Sequence, residues 1–362
     1  MAKFIAFYLP QYHPTKENNE WWGPGFTDWR SVCMAKPLFK GHVQPKIPAD
    51  LGFYDLRLED TRIKQAEMAQ QYGIDSFCYW HYWFGKGRRL LNTPFDEVVK
   101  TGKPNIPFCL GWANHSWYKK AWGGKGKDKL LIEQQYLGEE DYVLHFNTML
   151  PAFKDKRYFK YNNKLVFVIY HPLDNKQQMK LFIATWRRLA KENNLNDFFF
   201  IGKDSYSKDK EMILSLGFDA IYNDNIFGIL HRESKPKKAL RYLMMKIFSR
   251  PMVFNYGDAI DYMLTEEEKK EDVVPTIVPN WDHSPRSGGS TPIFINSQPK
   301  YFQKLVENGC ELVSDKKNDL IFVKSWNEWG EGNYLEPDLE FGLKRLEALR
   351  NGIDKITKSK KK

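Results

Sequence analysis

The 362-residue chain has few of the features that would place it outside ordinary globular proteins. No apolar run approaches the roughly 20 residues that span a bilayer, which excludes a transmembrane helix. The first apolar stretch, Phe4 to Leu9, ends at Pro10 rather than at a small-residue cleavage site, so it reads as a strand and not as a signal peptide. There are only four cysteines, Cys33, Cys78, Cys109 and Cys310, with no Cys-x-x-Cys pair, and free thiols in a reducing cytoplasm is the simplest account. No Asp-x-Asp occurs, and Gly85-Lys86-Gly87 lacks the spacing of a phosphate-binding loop. Both absences weaken a metal-dependent nucleotide-sugar reaction. No His-x-x-x-His helix pair accompanies His13, His81, His115 and His171, so no metal and no other cofactor is expected.

What is plentiful is aromatic surface. Twelve Trp, 19 Tyr and 25 Phe make up 15% of the chain, more than a core needs, and sugar rings stack on such faces. The formal charge of +10 comes from 55 basic against 45 acidic residues and gathers in 235–250 and in the tail Lys355–Lys362. No nucleic-acid-binding module accompanies it, so nucleic acid is not expected as a partner. Segment 235–250 interleaves Leu240, Leu243, Met244, Met245, Ile247 and Phe248 with Lys and Arg. A barrel helix turning that apolar side inward is the favoured reading; contact with an anionic membrane is the other. The expected location is the cytoplasm, free or peripheral at the inner membrane.

Strand-like runs at 3–9, 74–80, 106–112, 165–170, 198–202, 219–223, 274–279 and 319–325 alternate with helical stretches. The helices fall near 56–72, 88–101, 139–153, 175–193, 207–216, 236–271 (interrupted), 298–314 and 340–356. In the first of them Leu58, Ile63, Ala66, Met68, Ala69 and Tyr72 form the expected core stripe, with Gly73 as the stop. Eight strand–helix repeats with near-continuous apolar strands are the arithmetic of one α/β fold, a (β/α)8 TIM barrel spanning 1–362. A doubly wound sheet with a small second domain is the competing arrangement. Insertions at about 10–55 and 228–272 break the rhythm.

Barrel active sites form where the strands end. All eight predicted strand ends carry polar groups, and five add Trp or Tyr, whereas the opposite ends are ordinary solvated surface. Candidate glycan-binding residues are Tyr12, His13, Trp22, Tyr79, His81, Tyr82, Trp83, Trp112, Asn114, His115, Trp117, His171, Asp204, Trp281, Trp326, Asn327 and Trp329. The tightest constellation is Trp326-Asn327-Glu328-Trp329-Gly330-Glu331-Gly332. On a continuing strand the two glutamates would point to opposite faces; the glycines allow a turn that brings both to one cavity. Apolar indoles beside them would raise the pKa of one glutamate and keep it a proton donor.

These blocks carry a resemblance. Phe7-Tyr8-Leu9-Pro10-Gln11-Tyr12-His13-Pro14, Asn18-Asn19-Glu20-Trp21-Trp22-Gly23, Gly25-Phe26-Thr27-Asp28-Trp29, Leu51 to Arg57, Tyr72 to Phe84, Trp112-Ala113-Asn114, and the stretch from Trp326 to Asp338 resemble the WbsX-type family of bacterial polysaccharide loci. That family is similar to the glycoside hydrolases of family ninety-nine, endo-α-mannosidases and endo-α-mannanases. The resemblance implies a barrel, retention of configuration and no metal. It also implies a route in which Glu328 takes the proton of a sugar 2-hydroxyl, whose oxygen attacks the anomeric carbon to give a 1,2-anhydro sugar, while Glu331 is the general acid/base. The chain departs from the pattern at His115, Lys119, Lys120 and Gly123, and at His171 where Arg is common. Lys119 and Lys120 are therefore candidates to meet an acidic or phosphorylated glycan.

The function so implied is a retaining, endo-acting glycoside hydrolase on a bacterial surface or extracellular polysaccharide. The alternatives are a glycosyltransferase or transglycosylase in lipopolysaccharide O-antigen or capsule biosynthesis, and a non-catalytic glycan-binding barrel. The partner in each case is a polysaccharide or oligosaccharide.

Overall fold

The structure is a computed structural model that describes the chain except Met1, 121–126, Tyr206, Glu233, 249–250 and 360–362. Eight strands line up with the sequence pattern: β1 (Lys3–Tyr8), β2 (Ser76–Trp83), β3 (Phe108–Trp112), β4 (Lys164–Ile169), β5 (Phe198–Lys203), β6 (Ala220–Asn223), β7 (Val273–Ile277) and β8 (Leu320–Val323). Each pairs in parallel with the next, and β8 pairs with β1, which closes the barrel. The doubly wound alternative is thereby overturned, because an open sheet would leave β1 and β8 at separate edges.

The outer layer comprises α1 (Glu59–Gln71), α2 (Thr93–Thr101), α3 (Glu139–Phe153), α4 (Lys176–Glu192), α5 (Lys210–Ser215), α7 (Pro299–Val313) and α8 (Lys344–Ser359), with α6 (Lys235–Phe248) at the remaining position in chain order. Helix α6 turns part of its apolar side to solvent. Leu240, Leu243 and Ile247 lie on its exposed side, and the place against the barrel after β6 is taken by the short turns Tyr256–Ala259 and Ile260–Tyr262, with Tyr256, Ala259, Ile260 and Met263 buried. For Leu240, Leu243 and Ile247 the inward-facing reading does not hold; the side chains of Met244, Met245 and Phe248 lie outside the described residues. Helix α1 also departs from its expected stripe, since Leu58 is exposed and the buried face is Arg62, Gln65, Ala66 and Ala69. Polar residues face inward there because they have partners: Arg62 donates to the Leu56 and Arg57 carbonyls, while Gln65 accepts from the Tyr8 hydroxyl and donates to Glu336.

Alternation along the strands decides which side chains reach the lumen. On β2, Phe77 and Tyr79 point outward against Tyr8, Phe95 and Phe108, and His81 and Trp83 outward against α3, while Trp80 points inward. Trp80 stacks on Phe7 at 4.8 Å and 2° between ring planes, and Phe7 packs on Phe322 and Tyr222. Gly111 makes room for this indole; a Cβ there would lie 3.0 Å from the Trp80 ring. The resulting aromatic plug fills the barrel and floors whatever lies above it.

On the outer side, the His81 and His145 rings meet through their Nε2 atoms at 2.7 Å in a fully buried position. Burial pulls both pKa values well below the usual histidine value; His13 and His115 are pulled down to about 4 by the same cause. These rings are neutral when folded and take up protons more readily when unfolded. Their stabilising effect is thus present above the ordinary histidine pKa and lost as pH falls through and below it. The melting temperature is expected to drop as pH is lowered through 6.5, above the range in which ordinary carboxylates titrate. Circular dichroism melts across that range check this, and a melting temperature flat down to the carboxylate range would contradict it.

Candidate active site

A cavity of about 620 Å³ opens at the carboxyl ends of the strands. Its wall comes from Leu9 and Gln11 after β1, Asn18 and Trp22 of the helix Lys16–Trp22, Trp80 and Tyr82 of β2, and Ala113, His115, Ser116, Trp117, Tyr118 and Lys120 after β3. Leu131, then Tyr170, His171 and Asp174 after β4, Arg286 after β7, and Lys324, Ser325, Glu328 and Glu331 after β8 complete it.

Both glutamates face this cavity because of the turn between them. Asn327–Glu328 pairs antiparallel with Asn333–Tyr334, and a single 3-10 turn, Trp329–Glu331, joins them. Gly332 closes the turn with φ +62°, and a Cβ at Gly330 would collide with the Asp28 carboxylate and lie 2.6 Å from Arg286 Nε. The Arg286 guanidinium sits among three acids: Nη2 is 2.6 Å from Asp28 Oδ2 and 2.8 Å from Glu328 Oε1, and Nη1 is 2.9 Å from Glu331 Oε1. Asp28 itself comes from the helix Asp28–Met34 in the first insertion.

The two glutamates are driven apart electrically. Burial pushes the Glu328 carboxyl far above its usual range; Arg286 opposes this, and the charges of Glu331 and Asp28 reinforce it. Burial also works against ionising Glu331, but His283, Arg286 and Lys324 outweigh it and hold that carboxyl well below the usual range. Arg286 keeps its charge, since Asp28, Glu328 and Glu331 overcome its burial. The electrostatics therefore favour the protonated form of Glu328 and the ionised form of Glu331.

A second charged set stands against the wall. The Asp224 carboxylate receives Lys324 Nζ at 2.8 Å and Lys203 Nζ at 3.1 Å. Burial disfavours its ionisation, yet the two ammonium groups hold it far below the carboxylate range. Lys203 also lies 4.4 Å from the Tyr170 ring centroid, and its charge helps keep His115 and His171 neutral after burial has lowered them.

Of the residues expected from sequence, Glu328, Glu331, Trp22, Tyr82, His115, Trp117 and His171 line the cavity. The others stand behind it. Tyr79, His81, Trp83 and Trp112 are on the outward register of their strands, with Trp112 packed on His145 and Phe182. Asn114 clamps β3 to β4, donating to the His171 carbonyl and accepting from its amide. Asn327 accepts from the Leu9 amide and donates to the Leu9 carbonyl, so its side chain is spent on joining β8 to β1. Tyr12 donates to the Asn327 carbonyl and accepts from the Trp329 amide, and Trp329 donates to Glu336 and stacks on Tyr334 at 3.7 Å. Trp326 is fully buried beside Phe77, and His13 is buried away from the wall. Asp204 accepts from the Asp209 amide, and Trp281 packs on Phe227 with Lys324 Nζ 5.2 Å from its ring centroid. Lys120 reaches the cavity and pairs with Asp128, while Lys119 lies over the Trp22 ring; Gly123 falls outside the described residues.

The sequence reading passed over Trp80, Tyr170, Arg286, Lys324 and Asp28. Strict period-two counting along β2 would have selected Trp80, and Lys324 is visible as a lone cation closing an apolar strand. Arg286 gives no local signal, because its partners are 258 and 45 residues away in sequence. Replacing Arg286 with Met is expected to cost about 3–5 kcal/mol at neutral pH, because it leaves buried carboxylates facing one another. Without the guanidinium their folded pKa values rise, so the deficit shrinks as pH falls and the acids take up protons. Urea titrations of both proteins at neutral and acidic pH check this; a deficit constant across pH would contradict it.

The matching family model, described as glycosyltransferase WbsX, covers residues 4–349. WxcX proteins from two strains of Xanthomonas campestris pv. campestris, both described as uncharacterized, are 31% identical over 97% of this chain, which spans about half the length of those relatives. Among solved structures, the GH99 endo-α-mannosidase of Bacteroides thetaiotaomicron superposes with a TM-score of 0.58 at 16% identity, covering 99% of this chain and 98% of that one. A glycoside hydrolase-like protein superposes with a TM-score of 0.60 at 13% identity, over 97% and 93% of the two chains. The barrel is thus shared with glycoside hydrolases, and the chain belongs to the WbsX family.

Proposed function

We propose that the protein is a retaining glycoside hydrolase that cleaves within a bacterial surface or extracellular polysaccharide, using Glu328 and Glu331 as its acid–base pair. The observation that carries this reading is the turn that aims both carboxyls at one aromatic-walled cavity, where the surroundings favour a protonated Glu328 and an ionised Glu331. Acetal cleavage needs that stoichiometry: one carboxyl to protonate the leaving oxygen and one to act as base. Trp22, Trp80, Tyr82, Trp117 and Tyr170 offer ring faces to pyranose C–H groups, while Gln11, Asn18, Ser116 and the neutral His115 and His171 suit hydroxyls.

In the sequence of steps proposed, Glu328 removes the 2-hydroxyl proton, and that oxygen displaces the glycosidic oxygen at the anomeric carbon. Glu331 protonates the departing oxygen. Water then opens the 1,2-anhydro sugar at the same carbon, giving its proton to Glu331, while Glu328 returns the proton to the 2-oxygen. Two inversions give net retention. These roles rest on the family resemblance, and they require Glu328 to lose its resting proton and Glu331 to gain one as the glycan displaces Arg286 from the pair. A glycan hydroxyl in place of water in the second half would make the same site a transglycosylase, the outcome closer to the family's name.

Incubation with surface polysaccharides, followed by mass spectrometry of the products, tests the proposal. Glu328→Gln and Glu331→Gln are each expected to lower turnover by about 100- to 10,000-fold. With Glu331 as the acid, Glu331→Gln recovers activity on substrates with a good leaving group such as fluoride, and Glu328→Gln does not. Equal turnover by the wild type and both variants would refute the enzymatic reading. Because burial raises Glu328, the alkaline limb of the kcat/KM profile is expected far above the ordinary carboxylate range; a limb within that range would remove the proton from the assigned pair.

A further inference from the structure

Helix α6 exposes an apolar stripe and carries a charge of one sign. Leu240, Leu243 and Ile247, at helical spacings of three and four, are 61%, 51% and 62% exposed. The helix is oriented by its other side: Arg241 donates to the Val253 carbonyl, and its guanidinium lies 4.0 Å from the Phe254 ring centroid. At 100° per residue this turns the leucine–isoleucine stripe away from the barrel. Between Ser234 and Tyr256 the sequence has six basic residues and no acid.

The position of α6 relative to the cavity also follows from the pairing. Val253–Asn255 runs parallel to Ile293–Ile295, and the Phe294 amide donates to the Trp281 carbonyl. Trp281 begins the loop after β7 that carries Arg286, so α6 is fastened to the rim of the catalytic face.

The geometry points to α6 as a docking element for an anionic lipid surface, its apolar stripe entering the headgroup layer and the net positive charge of the segment drawn to lipid charge. Charge complementarity selects this occupant. A helix with cations and no acid attracts an anionic bilayer, whereas a second copy of the same helix brings like charge against it. Docking through the rim holds the cavity close to the membrane surface, where a glycan carried on lipid would present itself. The inference does not depend on the hydrolase reading.

Co-sedimentation of the full chain with vesicles tests it, using phosphatidylcholine alone and an equimolar mixture with phosphatidylglycerol. Binding is expected to the mixed vesicles only, falling steeply with added salt. The triple variant Leu240→Ser, Leu243→Ser, Ile247→Ser is expected to bind about tenfold less while keeping all its basic residues and its melting temperature. Failure of the wild type to bind mixed vesicles at low salt would overturn the proposal. So would equal binding by the triple variant, which would assign the attraction to the basic tail. A dimer in gel filtration that the triple variant converts to a monomer, without vesicle binding by either, would assign the face to a second copy.

Discussion

One guanidinium holds the cavity-lining face together. Arg286 joins Asp28 from the first insertion to Glu328 and Glu331 beyond β8, so three segments far apart in sequence meet on a single planar cation. A fork of fixed geometry suits this better than a lysine, because it meets several carboxylate oxygens in defined directions. The close fit of Gly330 against both Asp28 and Arg286 shows how little slack the arrangement has. Counting Asp224, Lys203 and Lys324 alongside, these two clusters hold four acids and three cations. Full ionisation would leave one buried negative charge, and a proton on the glutamate pair removes it. A single shared proton is also what acetal cleavage requires, although the proposed roles need it on Glu331 while the buried charges favour Glu328.

Behind the glutamates stands a layer of aromatic and amide side chains with no open face. Tyr12, Tyr54, Gln65, Asn327, Trp329 and Glu336 form a continuous set of hydrogen bonds that ties the turn after β8 to β1 and α1. Burial pushes the Glu336 carboxyl up to about 7, while donors from Trp329, Tyr54 and Gln65 surround it. These residues have the composition of a sugar site, yet their polar atoms are already paired with protein. The wall that a glycan would touch is made by their neighbours one register step away.

That step marks the boundary between what was legible in the sequence and what was not. The strand and helix periods, the closing of eight repeats into a barrel and the turn at Gly330 and Gly332 all follow from local patterns, and the structure has them within a few residues. The side facing the cavity does not follow from proximity in sequence. On β2 the expected ring carriers Tyr79, His81 and Trp83 point to the helices and Trp80 points inward, because a strand gives alternate residues to opposite faces. Helix α6 shows the same limit from the other direction: its amphipathic spacing was plain, but spacing alone does not say whether the apolar side meets a core or solvent.

Local sequence thus determined the barrel, the two glutamates and the bend that lets them share a cavity, since propensity, periodicity and glycine act over a few residues. Only the tertiary structure decided that Arg286 and Asp28 join that pair, that Lys324 and Lys203 flank it through Asp224, and where the proton rests. Those outcomes depend on burial and on charge–charge distances between segments hundreds of residues apart, which no local pattern encodes.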